Sequence, residues 1–418
     1  KAEQVFGDEF ASDTPISALE LAPVQRVAIF AEAFLPKVDG VSKTAYLTLR
    51  YLQETGREVL VFAPDSAPSY VGNTQVIPLP SLGMPAAPET RVALPTLAVG
   101  DYLDDFKPDM IHMFSPALLS VSGMLAGRRR NLPVIANYQT DLPMYAHHYG
   151  YHFLEQPTRD WLRYIHNGCH LTLVPSRYTL HQLQNAGYRR LRRWGRGVNG
   201  QRFSPQHRST VWRERLLNGR DPSSLLCIYV GRLANEKRVD LLLEVAKTPG
   251  VALTIIGDGA LRDELECRFA GTGTHFMGYL YGEELAQAYA SADVFMFTGD
   301  CETFGQVVQE AMASGLPAVV INQGGVVDLV RDGETGFLCE ANRESFAAAA
   351  RRLRDNPELR RTMAENARHF ARKRPWSAIM AQLEHHYREA IHLNERHKQV
   401  YKTGGFNFSL PNLLTWGR

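Results

Sequence analysis

The chain alternates short apolar, β-branched runs with helix-patterned stretches, and it does so twice over. No other property of the sequence constrains the fold as much. In the first half, Val27-Ala28-Ile29-Phe30 is followed by a loop to Gly40, a helix-patterned stretch at 45–51 and a second run, Val59-Leu60-Val61-Phe62. Residues 109–112, 117–125, 134–136 and 171–174 continue the alternation, and Ser176 is placed to cap the helix that follows. Strand, helix, strand is the rhythm of a parallel sheet, because parallel neighbours need a crossover between them. A polar interval rich in Arg, Pro and Gly at about 199–224 reads as the inter-domain connection, after which the rhythm restarts. Residues 226–230, 252–256, 293–297 and 318–321 read as buried parallel strands, each followed by a Gly-bearing turn.

A chain of 418 residues accommodates two such α/β domains of roughly 180 to 200 residues each. The expected division is 24–205 and 206–375, with the segment 376–418 packing back on the first domain. Ligands are then expected in the cleft, at the carboxyl ends of the strands. With 44% hydrophobic and 22% charged residues the composition is that of a soluble globular protein. No run approaches eighteen apolar residues, and the first thirty lack a basic-then-apolar secretory pattern. The five cysteines are scattered without a close pair, which fits a reducing cytoplasm and offers no metal-ligand spacing. A net charge of +2 argues against nucleic acid as a partner. Two basic clusters, Arg128 to Arg130 and Arg189, Arg190, Arg192, Arg193 and Arg196 around Trp194, admit two readings: solvated element ends, or attraction to anionic lipid headgroups.

The segment from Glu302 to Glu310 carries the strongest chemical signal. Gly305 frees the loop, Val307, Val308, Ala311, Met312 and Ala313 give helical spacing, and Gly315 and Pro317 end the helix. The amides around Phe304, Gly305, Gln306 and Val307 then form a helix start suited to phosphate, flanked by two carboxylates suited to sugar hydroxyls. From spacing alone, a charged loop residue and a solvated helix glutamate fit equally well. After the first strand of the second half comes Gly231-Arg232-Leu233-Ala234-Asn235-Glu236-Lys237, where a planar fork and a compact cation suit a diphosphate. Gly257-Asp258-Gly259 and Gly278-Tyr279 end later strands, where backbone can face a ligand, and Gly40 opens the first helix.

These residues together resemble the retaining nucleotide-sugar glycosyltransferases of the two-Rossmann-domain (GT-B) architecture, group 1 or family 4, over nearly all of 26–390. The resemblance implies that Arg232 and Lys237 bind the donor diphosphate, Glu310 the ribose hydroxyls and Glu302 the transferred sugar. Phe304 and Gly305 would present amides, and Gly40 would meet the phosphate from the opposite domain. Leu35 to Val41, Thr140-Asp141-Leu142-Pro143 and Trp194 to Val198 look most like enzymes that glycosylate lipids, such as the phosphatidylinositol mannosyltransferases and the sulfoquinovosyl- and glycosyl-diacylglycerol synthases. Asn199 stands where an aspartate is common, and Gln139 where many members have a histidine. Gln139 would therefore hold the sugar through its amide, without proton transfer. Asp141, Tyr145 and His147 are the acceptor-side candidates, although the surrounding aromatics fit a packed wall equally well.

The implied reaction moves a hexose from a UDP- or GDP-linked donor to a lipid-type hydroxyl, with no metal and no further cofactor. It would take place in the cytoplasm, peripherally on the inner face of the membrane. A soluble acceptor, or a non-catalytic sugar-nucleotide-binding role, are the alternatives.

Overall fold

A computed structural model describes residues 19–403, apart from 38, 85, 86 and 97. Val38 of the first loop motif and residues 404–418 of the tail therefore lie outside the described residues. Two sheets organise the chain. The first runs in the order Leu191–Arg193, Leu171–Val174, Val134–Asn137, Met110–Phe114, Arg26–Ala31, Glu58–Pro64, Thr74–Leu79, Tyr70–Val71, parallel except for the last pair. The second, wholly parallel, runs His275–Gly278, Val251–Ile256, Leu225–Val230, Val294–Phe297, Ala318–Ile321, Gly336–Cys339. In each, the first strand in sequence lies between the second and the fourth parallel strands, so the winding direction reverses beside it. The helices on either side of that reversal lie on opposite faces and leave a crevice at the strand ends, the usual ligand position in open parallel sheets.

Strand composition explains the layering. The residues of Leu225–Val230 and Val251–Ile256 are all buried, as a strand covered on both faces requires. Helix Gly40–Glu54 starts at the glycine expected to open it and contains the 45–51 pattern. Its start is fixed by a capping box, in which the Asp39 carboxylate accepts from the Ser42 amide at 2.8 Å and the Ser42 hydroxyl from the Asp39 amide at 2.9 Å. The pattern at 117–125 becomes helix Leu119–Arg130, with Arg128, Arg129 and Arg130 in a last turn that favours cations and Asn131 turning left-handed beyond it.

Two sequence expectations are corrected. Much of the interval 199–224 is not a connection: Ser209 caps helix Thr210–Leu217, which buries Trp212, Leu216 and Leu217 in the second domain's core. Its polar residues are the outer face and caps of that helix. The arginine cluster around Trp194 is not one basic patch either, because Leu191–Arg193 is an edge strand. Arg192 pairs with Glu389, Arg190 donates to the Cys169 carbonyl at 3.1 Å, and Arg196 is buried.

Helix Trp376–Thr403 returns from the second domain to the first, packing Trp376, Ile379, Met380, Leu383 and Tyr387 into the core beneath the first sheet. An ion pair pins it there. Arg57 Nη1 lies 2.6 Å from Glu384 Oε1, and both side chains are 1% exposed. Burial works to raise the Glu384 pKa, but the Arg57 guanidinium, the Ala22 amide and the Tyr51 hydroxyl hold it below the ordinary glutamate value. A carboxylate depressed in the folded state contributes stability that is present above its unfolded pKa of about 4.3 and is lost as the pH falls through the folded value. Urea unfolding followed across the acid range is thus expected to give a midpoint that declines below about pH 4.3 in the wild type, and a shallower decline in Glu384→Gln.

Candidate active site

The second domain builds its half of the site by packing loops on loops. A Cβ on Gly257 (φ +139°) would lie 1.9 Å from the Gly231 carbonyl oxygen, and one on Gly259 2.4 Å from that of Leu233. Contact with the Gly231-Arg232-Leu233 loop demands glycine at both positions. That contact fixes where Arg232 starts. Its Nη2 donates to Glu236 Oε1 at 2.7 Å and to the Tyr145 hydroxyl, across the cleft, at 3.3 Å. Gly278 (φ +73°) closes the same layer, its carbonyl accepting from the Gly257 amide at 2.8 Å. Tyr279, half exposed, donates to the Asp258 carbonyl and stacks on Tyr281.

Lys237 pairs with Glu302, and Thr298 donates to its backbone carbonyl at 2.6 Å. Burial pushes the Lys237 ammonium towards neutrality, but Glu302, Tyr145 and Tyr229 overcome that and hold its pKa above the ordinary lysine value. For Arg232, burial is likewise opposed by Tyr145 and Glu236, and its pKa too stands above the usual value. Both cations are therefore fully charged in the cleft.

The Glu302 loop turns into helix Gln306–Ala313 through Gly305 (φ +94°), where a side chain would also strike Val326. Gly324 and Gly325 support it from beneath, since a Cβ on Gly325 would come within 2.1 Å of the Thr303 carbonyl oxygen. Among the described residues, the amides of Phe304, Gly305, Gln306 and Val307 meet no acceptor. The Gln306 side chain donates to the Gly197 carbonyl at 3.0 Å, and that of Gln309 to the Arg196 carbonyl at 3.1 Å. The helix is thus tied to the segment that crosses between domains. Glu310, a little more than a turn inside, is buried against the first domain with Lys43 Nζ 3.0 Å away.

The first domain faces this with the ends of its strands. Gln139 follows Val134–Asn137; its carbonyl accepts from the Thr303 hydroxyl at 2.7 Å, while both polar atoms of its 8%-exposed side chain lack a partner among the described residues. Such an amide is costly to leave unsatisfied, so it is suited to receive a hydroxyl. Asp141 caps helix Leu142–His148, accepting from the Met144 amide at 3.3 Å, and burial raises its pKa. Tyr145 turns towards Arg232, and burial pushes its phenol up to about 12. His147 lies further out, 3.4 Å from Glu155 and 3.2 Å from His152. Gly40 is exposed, and among the described residues a Cβ there would meet nothing within 4 Å, so neither their packing nor backbone strain demands glycine.

Sequence reasoning missed Lys43, Glu236, Thr303, and Asp300 with its pairing to His148. Only Glu236 left a signal, an acid four residues from Arg232. Lys43 and Glu310 are 267 positions apart, and no local pattern connects them. Asp300 lies 3.2 Å from His148 Nε2 and 3.5 Å from Arg238, and with Cys301 it forms a group of metal-ligand type within 4.8 Å. The fold thus sets beside His148 a carboxylate from the other domain whose second oxygen faces a guanidinium.

The family description "Glycosyl transferases group 1" matches residues 212–370, and "Glycosyltransferase Family 4" matches 38–202. The chain is 40% identical over 375 residues to a GDP-mannose-dependent alpha-mannosyltransferase of Mycobacterium tuberculosis, covering 88% of this chain and 97% of that protein. It is 34% identical over 419 residues to the sulfoquinovosyl transferase SQD2 of Arabidopsis thaliana, covering 97% of this chain and 82% of that one. Among solved structures, Anabaena HepE in complex with UDP superposes with a TM-score of 0.66 at 17% identity, over 91% of this chain and all of that one.

Proposed function

From the premise that this chain belongs to the group 1, family 4 glycosyltransferases of GT-B fold, we propose that it transfers a hexose from a nucleoside diphosphate to a lipid-type hydroxyl, with retention at the anomeric carbon. The observation that carries the reading is the convergence of Arg232, Lys237, Glu302, the free first-turn amides and Glu310 opposite the unsatisfied Gln139 amide. Arg232, Lys237 and those amides neutralise the departing diphosphate, which is catalysis by fixed charge rather than by a protein nucleophile. Glu302 and Gln139 hold the sugar, Glu310 the ribose, and the open face of Gly40 leaves room for a phosphate from the first domain. The departing phosphate oxygen accepts the acceptor's proton on the same face as the attack. No step calls on a resident metal.

Support for a lipid acceptor comes from helix His152–Asn167 on the first domain, which exposes Phe153, Leu154, Trp161 and Tyr164, with Tyr151 just before it. Aromatic and apolar side chains on a helix surface suit the boundary between water and acyl chains. No helix among the described residues is long and apolar enough to cross a membrane.

The test is sugar transfer from GDP- and UDP-hexoses, with GDP-mannose first because of the 40% identical relative, to diacylglycerol or phospholipid and to soluble sugars. Arg232→Ala and Glu310→Ala are each expected to lower kcat/KM by about tenfold to a hundredfold, the loss of a hydrogen bond to a charged group. Near-normal kcat/KM in both variants would sink the site assignment. Transfer to soluble sugars alone, with no liposome co-sedimentation at low salt, would move the acceptor out of the lipid class.

A further inference from the structure

One member of a buried ion pair at the domain seam, Lys43, has no part in the reaction just described. Lys43 lies in the first turn of helix Gly40–Glu54, on the first domain, three residues past Gly40. Its ammonium is 3.0 Å from Glu310 Oε1 on the second domain, the two side chains being 11% and 7% exposed. It also stands 6.0 Å from the ring centroid of Phe203, a member of the second domain's core.

Glu310 is also the carboxylate that the donor's ribose needs. Ribose hydroxyls and Lys43 therefore compete for the same carboxylate. A buried carboxylate can release one partner for another, but an ammonium left behind in the same space needs a new anion. Glu310 is five residues beyond Gly305, about 7.5 Å along the helix axis. An anion held at the free amides around Gly305 is thus within the swing of a lysine side chain anchored beside Glu310. The anion that enters together with ribose is the diphosphate.

We propose that Lys43 is an exchange cation of the donor site, paired with Glu310 while the cleft is empty and transferred to the donor's diphosphate when ribose takes the carboxylate. It is a positioning residue that draws the first domain onto the bound donor. The inference rests on the donor reading above and adds to it a phosphate contact from helix Gly40–Glu54.

The experiment is calorimetric titration of wild type, Lys43→Met and Lys43→Arg with guanosine, GDP, uridine and UDP at fixed salt. Methionine keeps the stem over Phe203 and removes the charge, while arginine keeps the charge. For the base that the wild type binds, the ratio of nucleoside to diphosphate Kd is expected to shrink at least about tenfold in Lys43→Met, and to be largely restored in Lys43→Arg. Loss of nucleoside and diphosphate affinity by the same factor, or an unchanged ratio, would overturn the exchange while leaving the donor reading intact. A folded wild type that bound neither diphosphate would overturn both.

Discussion

Replacing Lys237 by methionine is expected to lower kcat/KM for sugar transfer by about a hundredfold to a thousandfold, the usual loss when one preorganised electrostatic group is removed from a reacting centre. The residue is held at both ends: Thr298 donates to the Lys237 backbone carbonyl, and Glu302 pairs with the ammonium. The Phe297 ring lies 5.7 Å from Nζ. Neighbouring groups outweigh burial and keep the charge in place, so no proton has to be taken up when a diphosphate departs. Arg232, by contrast, is 36% exposed in its side chain and already shares its fork between Glu236 and Tyr145. Lys237, at 12%, is the better shielded of the two and has more to lose. Lys237→Arg should recover only part of the rate, because a planar fork on a longer stem does not occupy the place of a compact ammonium. Single-turnover measurements at saturating donor separate chemistry from binding. A fall of less than about threefold would mean that Arg232 and the Phe304 to Val307 amides carry the leaving group without it.

The second large effect concerns stability. Arg57→Leu is expected to destabilise the first domain by about 3 to 5 kcal/mol, the cost of leaving one charge of a buried pair uncompensated. Besides Glu384, Arg57 donates from Nε to the Val24 carbonyl at 2.9 Å and from Nη2 to the Ala22 carbonyl at 3.2 Å, so one side chain ties the chain's entry, the first sheet and the returning helix together. Removing it leaves the buried Glu384 carboxylate with the Tyr51 hydroxyl and the Ala22 amide but without its cation. For a unit of this size the midpoint of thermal unfolding should fall by about 10 °C. The double variant Arg57→Leu/Glu384→Leu should recover much of the loss, since it removes both charges and leaves apolar groups in their place. Chemical denaturation of the three variants gives the coupling directly, and additive losses would show that the backbone bonds of Arg57, rather than the ion pair, fix the helix.

How much of this was legible in the sequence depends on how local each signal was. The strands around Val27 to Phe30 and 226–230 announced themselves through runs of apolar, β-branched residues, and the helix start at Gly305 through glycine followed by helical spacing. The start of helix Gly40–Glu54 was legible in Gly40, but its capping box was not read, because the first turn is polar and carries no hydrophobic period. The edge strand Leu191–Arg193 was hidden by its arginines, which an edge tolerates because only one flank is paired. Helix Thr210–Leu217 was read as connection because only Trp212, Leu216 and Leu217 of it turn inward.

The sequence by itself determined two parallel α/β layers, and its family resemblance named Arg232, Lys237, Glu302, Gly305 and Glu310 as donor-side candidates, which lie in the loops and the helix that follow two strands of local pattern. Only the tertiary structure decided which of them meet. Lys237 is matched to Glu302, Glu310 to Lys43, Arg232 to Tyr145 and Gln139 to Thr303 across separations of 65 to 267 positions. Charge pairing at that distance is set by how two sheets and a returning helix pack, and hydrophobic periodicity, which encodes burial but not partners, does not specify it.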